Sequence, residues 1–170
     1  MANNKPSFGW GHININVRDL DRSIVFYEQL GFELFIPAIP YLGLDTTAEH
    51  QNLPDGAATA LGITHGARGR ACIMQLGDGF PKLDLTEFVG LDQNTPLTNA
   101  DTGLVRICLT SEDLPRDVAR LKADGVEFLS EPQEGHGALA DIAVCKDPDG
   151  TLIELLQVYL DRWQSILNPT

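Results

Sequence analysis

Gly9-Trp10-Gly11-His12-Ile13-Asn14-Ile15-Asn16-Val17-Arg18-Asp19-Leu20-Asp21-Arg22-Ser23-Ile24-Val25-Phe26-Tyr27-Glu28-Gln29-Leu30-Gly31-Phe32 is the stretch on which the fold turns. From His12 to Val17 polar and apolar residues alternate, the period of a half-buried strand. His12, Asn14 and Asn16 share one face; Ile13, Ile15 and Val17 share the other. Asp19 is placed to cap a helix. Leu20, Ile24, Tyr27 and Leu30 follow at helical spacing, and Gly31 suits the position just past the helix end.

The pattern returns 94 positions later. Gly9 corresponds to Gly103, His12 to Arg106, Asp19 to Asp113, Leu20 to Leu114, Gly31 to Gly125 and Glu33 to Glu127. Arg106, Cys108 and Thr110 alternate with Val105, Ile107 and Leu109. A helix carrying Leu114, Val118 and Leu121 follows, with Pro115 in its first turn, where a missing N–H costs nothing. Leu83-Asp84-Leu85-Thr86-Glu87 matches Ile153-Glu154-Leu155-Leu156-Gln157 at an offset of 70, so the first copy holds 24 residues more than the second. This is an internal duplication.

The rest of the chain completes two like units. Phe32–Ile36 reads as a strand ended by Pro37 and Pro40, Arg70–Leu76 as a strand turned by Gly77-Asp78-Gly79, and Lys82–Val89 as the strand after it. Residues 90–102 are a polar linker. In the second copy Phe128-Leu129 is a short strand, Glu131–Gly137 a loop, Ala138–Val144 a strand, Asp147-Pro148-Asp149-Gly150 a turn and Thr151–Val158 the last strand. Leu160, Trp163 and Leu167 suggest a short amphipathic C-terminal helix. Each half is strand, helix, strand, strand, strand, an α+β pattern. The expected halves are residues 1–92 and 93–170, with the 24-residue insertion within about 37–68. Pro54-Asp55-Gly56-Ala57-Ala58 reads as a turn inside that insertion. The insertion is either a surface excursion or a lid whose Tyr41, Leu42, Leu44 and Leu61 cover an apolar pocket.

Composition narrows the function classes. A 170-residue chain buries roughly 70% of its unfolded surface, so folding needs no metal or disulfide staple. A net charge of −12 argues against nucleic acid and anionic membrane as partners. No run approaches a membrane span, and residues 1–6 lack the apolar core of a signal peptide. Cys72, Cys108 and Cys145 are isolated and odd in number, read as small buried hydrophobes of a reducing, cytoplasmic compartment.

Gly9-x-x-His12 opening a strand, Val17-x-Asp19-Leu20-x-x-Ser23-x-x-Phe26-Tyr27, Leu30-Gly31-Phe32, and the ending Asp147-Pro148-Asp149-Gly150-Thr151-x-Ile153-Glu154-Leu155 resemble the vicinal oxygen chelate superfamily. Glyoxalases, bleomycin-resistance proteins and type I extradiol dioxygenases make up that group. The resemblance implies two βαβββ modules forming a U-shaped cleft of mixed sheet with helices outside. It also implies four cleft positions that hold a divalent metal in metal-dependent members, here His12, Asp84, Arg106 and Glu154. Arg106 departs from the pattern, because a guanidinium offers no lone pair, and this counts against an extradiol dioxygenase. His12, Asp84 and Glu154 are then the expected metal ligands. No nucleotide cofactor is expected, and a homodimer fits the family's habit.

The residues support part of this independently. The polar faces His12, Asn14, Asn16 and Arg106, Cys108, Thr110 line either solvent or a shared pocket, the latter making all of them but His12 candidate substrate contacts. Glu154 and Asp84 sit among leucines and isoleucine, where a carboxylate needs a partner: a metal, or for Glu154 an ion pair with Arg106. Arg106 could grip an anionic group while Glu154 and Asp84 move a proton. His50, His65 and His136 lie in expected loops, either solvated or supplying a missing ligand. The expectation is an isomerase, epimerase or lyase that moves a proton on a small oxygen-bearing molecule, with a divalent metal or with the carboxylates and Arg106 alone. The alternative is a metal-free binding protein that sequesters a small ligand.

Overall fold

The computed structural model describes residues 7–92 and 94–163. It divides into two compact units, Met1–Asp92 and Gln93–Thr170. The architecture is α+β, with three α-helices among the described residues.

The first unit runs β1 (His12–Val17), α1 (Leu20–Gln29), β2 (Glu33–Ile36), β3 (Ala38–Ile39), β4 (Leu44–Asp45), β5 (Gln51–Asn52), α2 (Asp55–Leu61), β6 (Arg68–Gln75) and β7 (Lys82–Val89). Its main sheet has the order β1-β7-β6-β2, with β5 also paired to β6, and β3 and β4 form a small hairpin. The β1–β7 pair is parallel; β6 is antiparallel to β7 and β2. The second unit runs β8 (Arg106–Thr110), α3 (Leu114–Ala123), β9 (Gln133–Glu134), β10 (Ala140–Lys146) and β11 (Leu152–Val158), ordered β8-β11-β10-β9. Here too the pair of first and last strands, β8 and β11, is parallel.

Local chemistry explains the helices. The side chain of Asp19 accepts from Arg22 N–H, and that of Asp113 from Arg116 N–H. Gly31 and Gly125 follow the helix ends at φ of 94° and 87°, where a Cβ would be strained. Leu20, Ser23, Phe26 and Tyr27 are the buried residues of α1, so the packed stripe runs through Ser23 and Phe26 while Ile24 and Leu30 are half-buried. In β1, His12, Asn14 and Asn16 are exposed while Ile15 and Val17 are buried, as period two requires.

Several expectations need correction. Residues 54–58 start α2 rather than a turn: Pro54 stands at the N-cap, Asp55 lies in the first turn, and Ala57, Ala58 and Ala60 favour helix. The expected loop Glu131–Gly137 contains β9. The strand expected at 138–144 begins at Ala140, because Gly137 and Ala138 adopt positive φ in a 3-10 turn. Phe128-Leu129 reduces to one bridge, Phe128 to Cys145. At the C-terminus Leu160–Trp163 is a 3-10 turn, and Leu167 lies outside the described residues.

The insertion builds a core of its own. Ile39, Leu42, Leu44, Leu53, Ala58 and Ala67 bury against Ala71 and Phe88. Phe88 lies four residues from Asp84 on β7, and Ala71 pairs with Thr86, so this cluster covers part of the sheet face that carries Asp84. Leu61, one of the four residues read as cover in the lid alternative, is exposed. Among the described residues no helix is long and apolar enough to cross a membrane.

Candidate active site

Strands β1 and β7 lie in register with His12 beside Lys82, Asn14 beside Asp84 and Asn16 beside Thr86. The three polar residues of β1 therefore meet Lys82, Asp84 and Thr86 on one face. Asp84 is 1% exposed. Its Oδ2 accepts a hydrogen bond from the Tyr41 hydroxyl at 3.1 Å and lies 3.5 Å from Nδ1 of His12. Among the described residues its Oδ1 is buried without a hydrogen-bond partner. Burial pushes the Asp84 carboxyl above the usual carboxylate range, against the opposing pull of His12 and of the Tyr41 hydrogen bond. Desolvation and the neighbouring Asp84 charge push the Tyr41 hydroxyl up to about 12, so at neutral pH it is a donor. Thr86 Oγ1 donates to Asn14 Oδ1 at 2.9 Å, and Asn14 Nδ2 to Asn16 Oδ1 at 3.0 Å, which orders the rest of this face.

Tyr41 reaches this place through the insertion. Ile39, Leu42 and Leu44 are buried around it, and Gly43 closes the turn in the left-handed region at φ 64°. Tyr41 itself stays 61% exposed, its ring stacked on His12 at 6.4 Å between centroids and 22° between planes. The sequence marked Tyr41 only as apolar cover; its hydroxyl on Asp84 had no local signal.

On the opposite face, under α1, Glu87 is the centre of a second polar group. Glu87 Oε2 accepts from the backbone N–H of Leu20 at 2.8 Å and lies 3.6 Å from Arg70 Nη1; Oε1 lies 2.6 Å from His50 Nε2. Arg70 also grips Asp21 at 2.8 and 3.0 Å and the Thr46 carbonyl at 3.0 Å. The Asp21 hydrogen bonds hold the Arg70 guanidinium above its ordinary value and the Asp21 carboxyl below its own. His50 therefore holds the insertion to the face opposite Asp84. His65 lies by Thr59 Oγ1 at 2.9 Å and Asp55 Oδ1 at 3.7 Å, and His136 opens the 3-10 turn before β10.

In the second unit, Arg106 Nε donates to Glu154 Oε2, and Arg106 Nη1 donates to Asn99 Oδ1 at 3.0 Å. The ion pair that the sequence left as one of two options is formed, and Asn99 of the linker adds to it. Cys108 and Thr110 are exposed beside them on β8. Burial, and next the Glu154 charge, raise the Cys108 thiol. Cys72 and Cys145 are fully buried, their thiols pushed up to about 12, which fits small apolar core residues; the exposure of Cys108 departs from that reading.

Among the described residues no group of three or more His, Cys, Asp or Glu side chains is gathered as a metal ion requires. His12 and Asp84 supply two donors in the first unit. Glu154 of the second is neutralised by Arg106. Neither unit by itself gathers the three or more donors that a metal centre needs.

The sequence matches the family model of the Glyoxalase/Bleomycin resistance protein/Dioxygenase superfamily over residues 9–155. The chain belongs to that superfamily. A glyoxalase family protein from Bacillus cereus has the same fold, with a TM-score of 0.71 and 22% identity over 93% of this chain and 98% of that one. The trypanothione-dependent glyoxalase I of Leishmania major is similar at a TM-score of 0.57 and 25% identity, covering 89% and 87%. Glyoxalase I from Zea mays is similar at a TM-score of 0.58 and 23% identity over 86% of this chain, which spans 43% of that protein. No curated protein matches the sequence. The family model establishes the superfamily and these likenesses the fold; one fold hosts many activities, so activity depends on the side chains of the site.

Proposed function

We propose that this superfamily member is a glyoxalase-like enzyme that moves a proton on a small oxygen-bearing molecule, as an isomerase, epimerase or lyase. One observation carries the reading: Asp84 is a buried carboxylate on a polar sheet face with one oxygen held by Tyr41 and His12 and the other unpartnered. A carboxyl whose pKa is raised by burial is a better base toward carbon acids and a competent acid afterwards. In the step envisaged, Oδ1 takes the proton from a carbon next to a carbonyl, and the C–H electron pair becomes the C=C bond of an enolate. The proton then returns to that carbon from either side, or to its neighbour, or a leaving group departs. Tyr41 holds the carboxyl in place by a hydrogen bond to Oδ2, and His12 Nδ1 stands 3.5 Å from the same oxygen. Asn14 and Asn16, on the same face as Asp84, are the candidate substrate contacts of this unit; in the second unit Arg106, Glu154, Cys108 and Thr110 remain candidates on the sequence for anion binding, proton transfer and ligand contact.

Solvent exchange tests this directly. Small carbonyl compounds with an acidic α-hydrogen are incubated with the protein in D₂O and followed by NMR. Catalysed exchange that falls at least about a hundredfold in Asp84→Asn supports the assignment, that being the usual weight of a positioned base. Exchange unchanged in that variant overturns it.

A second reading is a binding protein without turnover. The closed Arg106–Glu154 pair favours it, because it leaves that carboxylate neutralised. Saturable ligand binding with no exchange on any bound compound would select it.

A further inference from the structure

Lys82 stands two residues before Asp84 on β7, on the same face, and beside His12 in register. It is 7% exposed, the most buried lysine among the described residues. Its Nζ donates to the neutral Gln75 Oε1 at 2.8 Å. Two phenyl rings cover it, Phe35 at 4.6 Å and Phe80 at 5.2 Å from Nζ to centroid. Among the described residues no carboxylate comes within ion-pairing distance. Five other basic groups of the fold behave differently: Arg70, Arg106, Arg116, Lys122 and Lys146 each hold an Asp or Glu. The contrast matters in a chain with 24 acidic and 12 basic residues. Among the described lysines, the one most withdrawn from water is the one left without a counter-charge.

Removing an ammonium from water is costly without an anion to meet it. Two cation–π contacts and one amide oxygen offset part of that cost. An ammonium has three donors, and the remaining ones suit an oxyanion. Phe35 and Phe80 are themselves 47% and 64% exposed, so apolar ring surface lies open around the amine. From these observations we infer that Lys82 is the anion-binding residue of the Asp84 site, and that the substrate is a small acid carrying a carboxylate or phosphate beside an apolar group. The inference rests on the proposed role of Asp84. Residues i and i+2 of a strand stand roughly 6.6 Å apart. The anionic group is thus set a few bonds from the carbon that faces Asp84.

The probes are phenylpyruvate, its neutral methyl ester and inorganic phosphate, each titrated into the full chain by calorimetry. Phenylpyruvate is expected to saturate the wild type in the millimolar range or below, with the ester at least about tenfold weaker, the size of a lost charge-assisted hydrogen bond. Lys82→Gln is expected to erase the difference between acid and ester, and Lys82→Arg to keep it. Competition by phosphate would place the phosphate ester class among the ligands; no competition would leave carboxylates. Equal binding of acid and ester, no binding of either anion, or an unchanged acid preference in Lys82→Gln overturns the inference. Should Lys82→Gln fail to fold, the acid–ester comparison on the wild type still decides. Asp84→Asn separates the two readings: it retains phenylpyruvate binding if Lys82 is the anchor, whatever becomes of proton exchange.

Discussion

Glu87 accepts a hydrogen bond from the backbone N–H of Leu20 at 2.8 Å, tying the last strand of the first unit to the start of its helix. Gln157 does the same for Leu114, also at 2.8 Å. The two pairs are the duplicate positions of one another, so the contact belongs to the repeated unit. It satisfies an N–H that a helix leaves open at its first turn.

The first unit adds charge to this contact. Glu87→Gln keeps the cap, as Gln157 does, but loses the charge facing His50 and Arg70. Glu87→Ala loses both and leaves a buried Arg70 with Asp21 alone. The expected cost is about 3–5 kcal/mol for Glu87→Ala, by analogy with a broken buried ion pair. Gln157→Ala is expected to cost about 1 kcal/mol. Urea unfolding of the three variants checks the order, with Glu87→Gln between the other two.

Asp84 sets a pH dependence of stability. Its folded pKa is raised by burial, so the folded state holds the proton more tightly than the unfolded chain. Its contribution to stability is complete below the unfolded carboxyl pKa, about 3.9. It is lost as pH rises through the folded value. Asp84→Asn cannot ionise. The variant is therefore expected to match the wild type in acid and to melt higher at neutral pH, with the gap opening above about pH 4. Thermal melts across pH 3–8 measure it, where a constant gap would mean no contribution from titration.

Tyr41→Phe keeps the ring over His12 and removes the hydroxyl donor from Asp84. That bond lowers the Asp84 pKa against burial, so its loss is expected to raise it further. The acidic limb of the pH–rate profile, or of the carboxyl carbon shift read by NMR, should move to higher pH. Stability should change by less than about 1 kcal/mol, since Tyr41 is largely exposed.

Gly69 lies where a Cβ would meet the Glu87 carbonyl oxygen at 2.4 Å and the Phe88 ring at 3.1 Å. The first is backbone and cannot rotate away. Gly69→Ala is expected to destabilise by roughly 1–3 kcal/mol and to loosen the insertion core that Phe88 closes. Protection of residues 39–67 from hydrogen exchange would report this.

Metal content tests the donor argument. With Glu154 held by Arg106, protein purified without chelators is expected to carry well under one divalent metal per chain. His12→Ala should not change that figure. About one metal per chain, lost in His12→Ala, would show that His12 and Asp84 recruit further donors.

The sequence by itself determined what local periodicity and capping control. The strands His12–Val17, Lys82–Val89 and Arg106–Thr110, both main helices with their Asp caps, and the polar faces of β1 and β8 were all legible. Alternation and helical spacing are properties of neighbouring residues, and the duplication states each of them twice. The polar face of its strand and the motif around it singled out His12, while the family resemblance and its flanking leucines singled out Asp84. Tertiary structure decided the partners. Whether Glu154 would face a metal or Arg106 depended on the β8–β11 pairing, which brings Arg106 within reach of a residue 48 positions on. Tyr41 came to Asp84, and His50 to Glu87, through an insertion whose small and polar residues carry no clear period. Lys82 looked like an ordinary charged residue at the start of a strand until two rings from separate segments closed over it. Contacts of that range depend on how the insertion packs across the sheet, which no local pattern encodes.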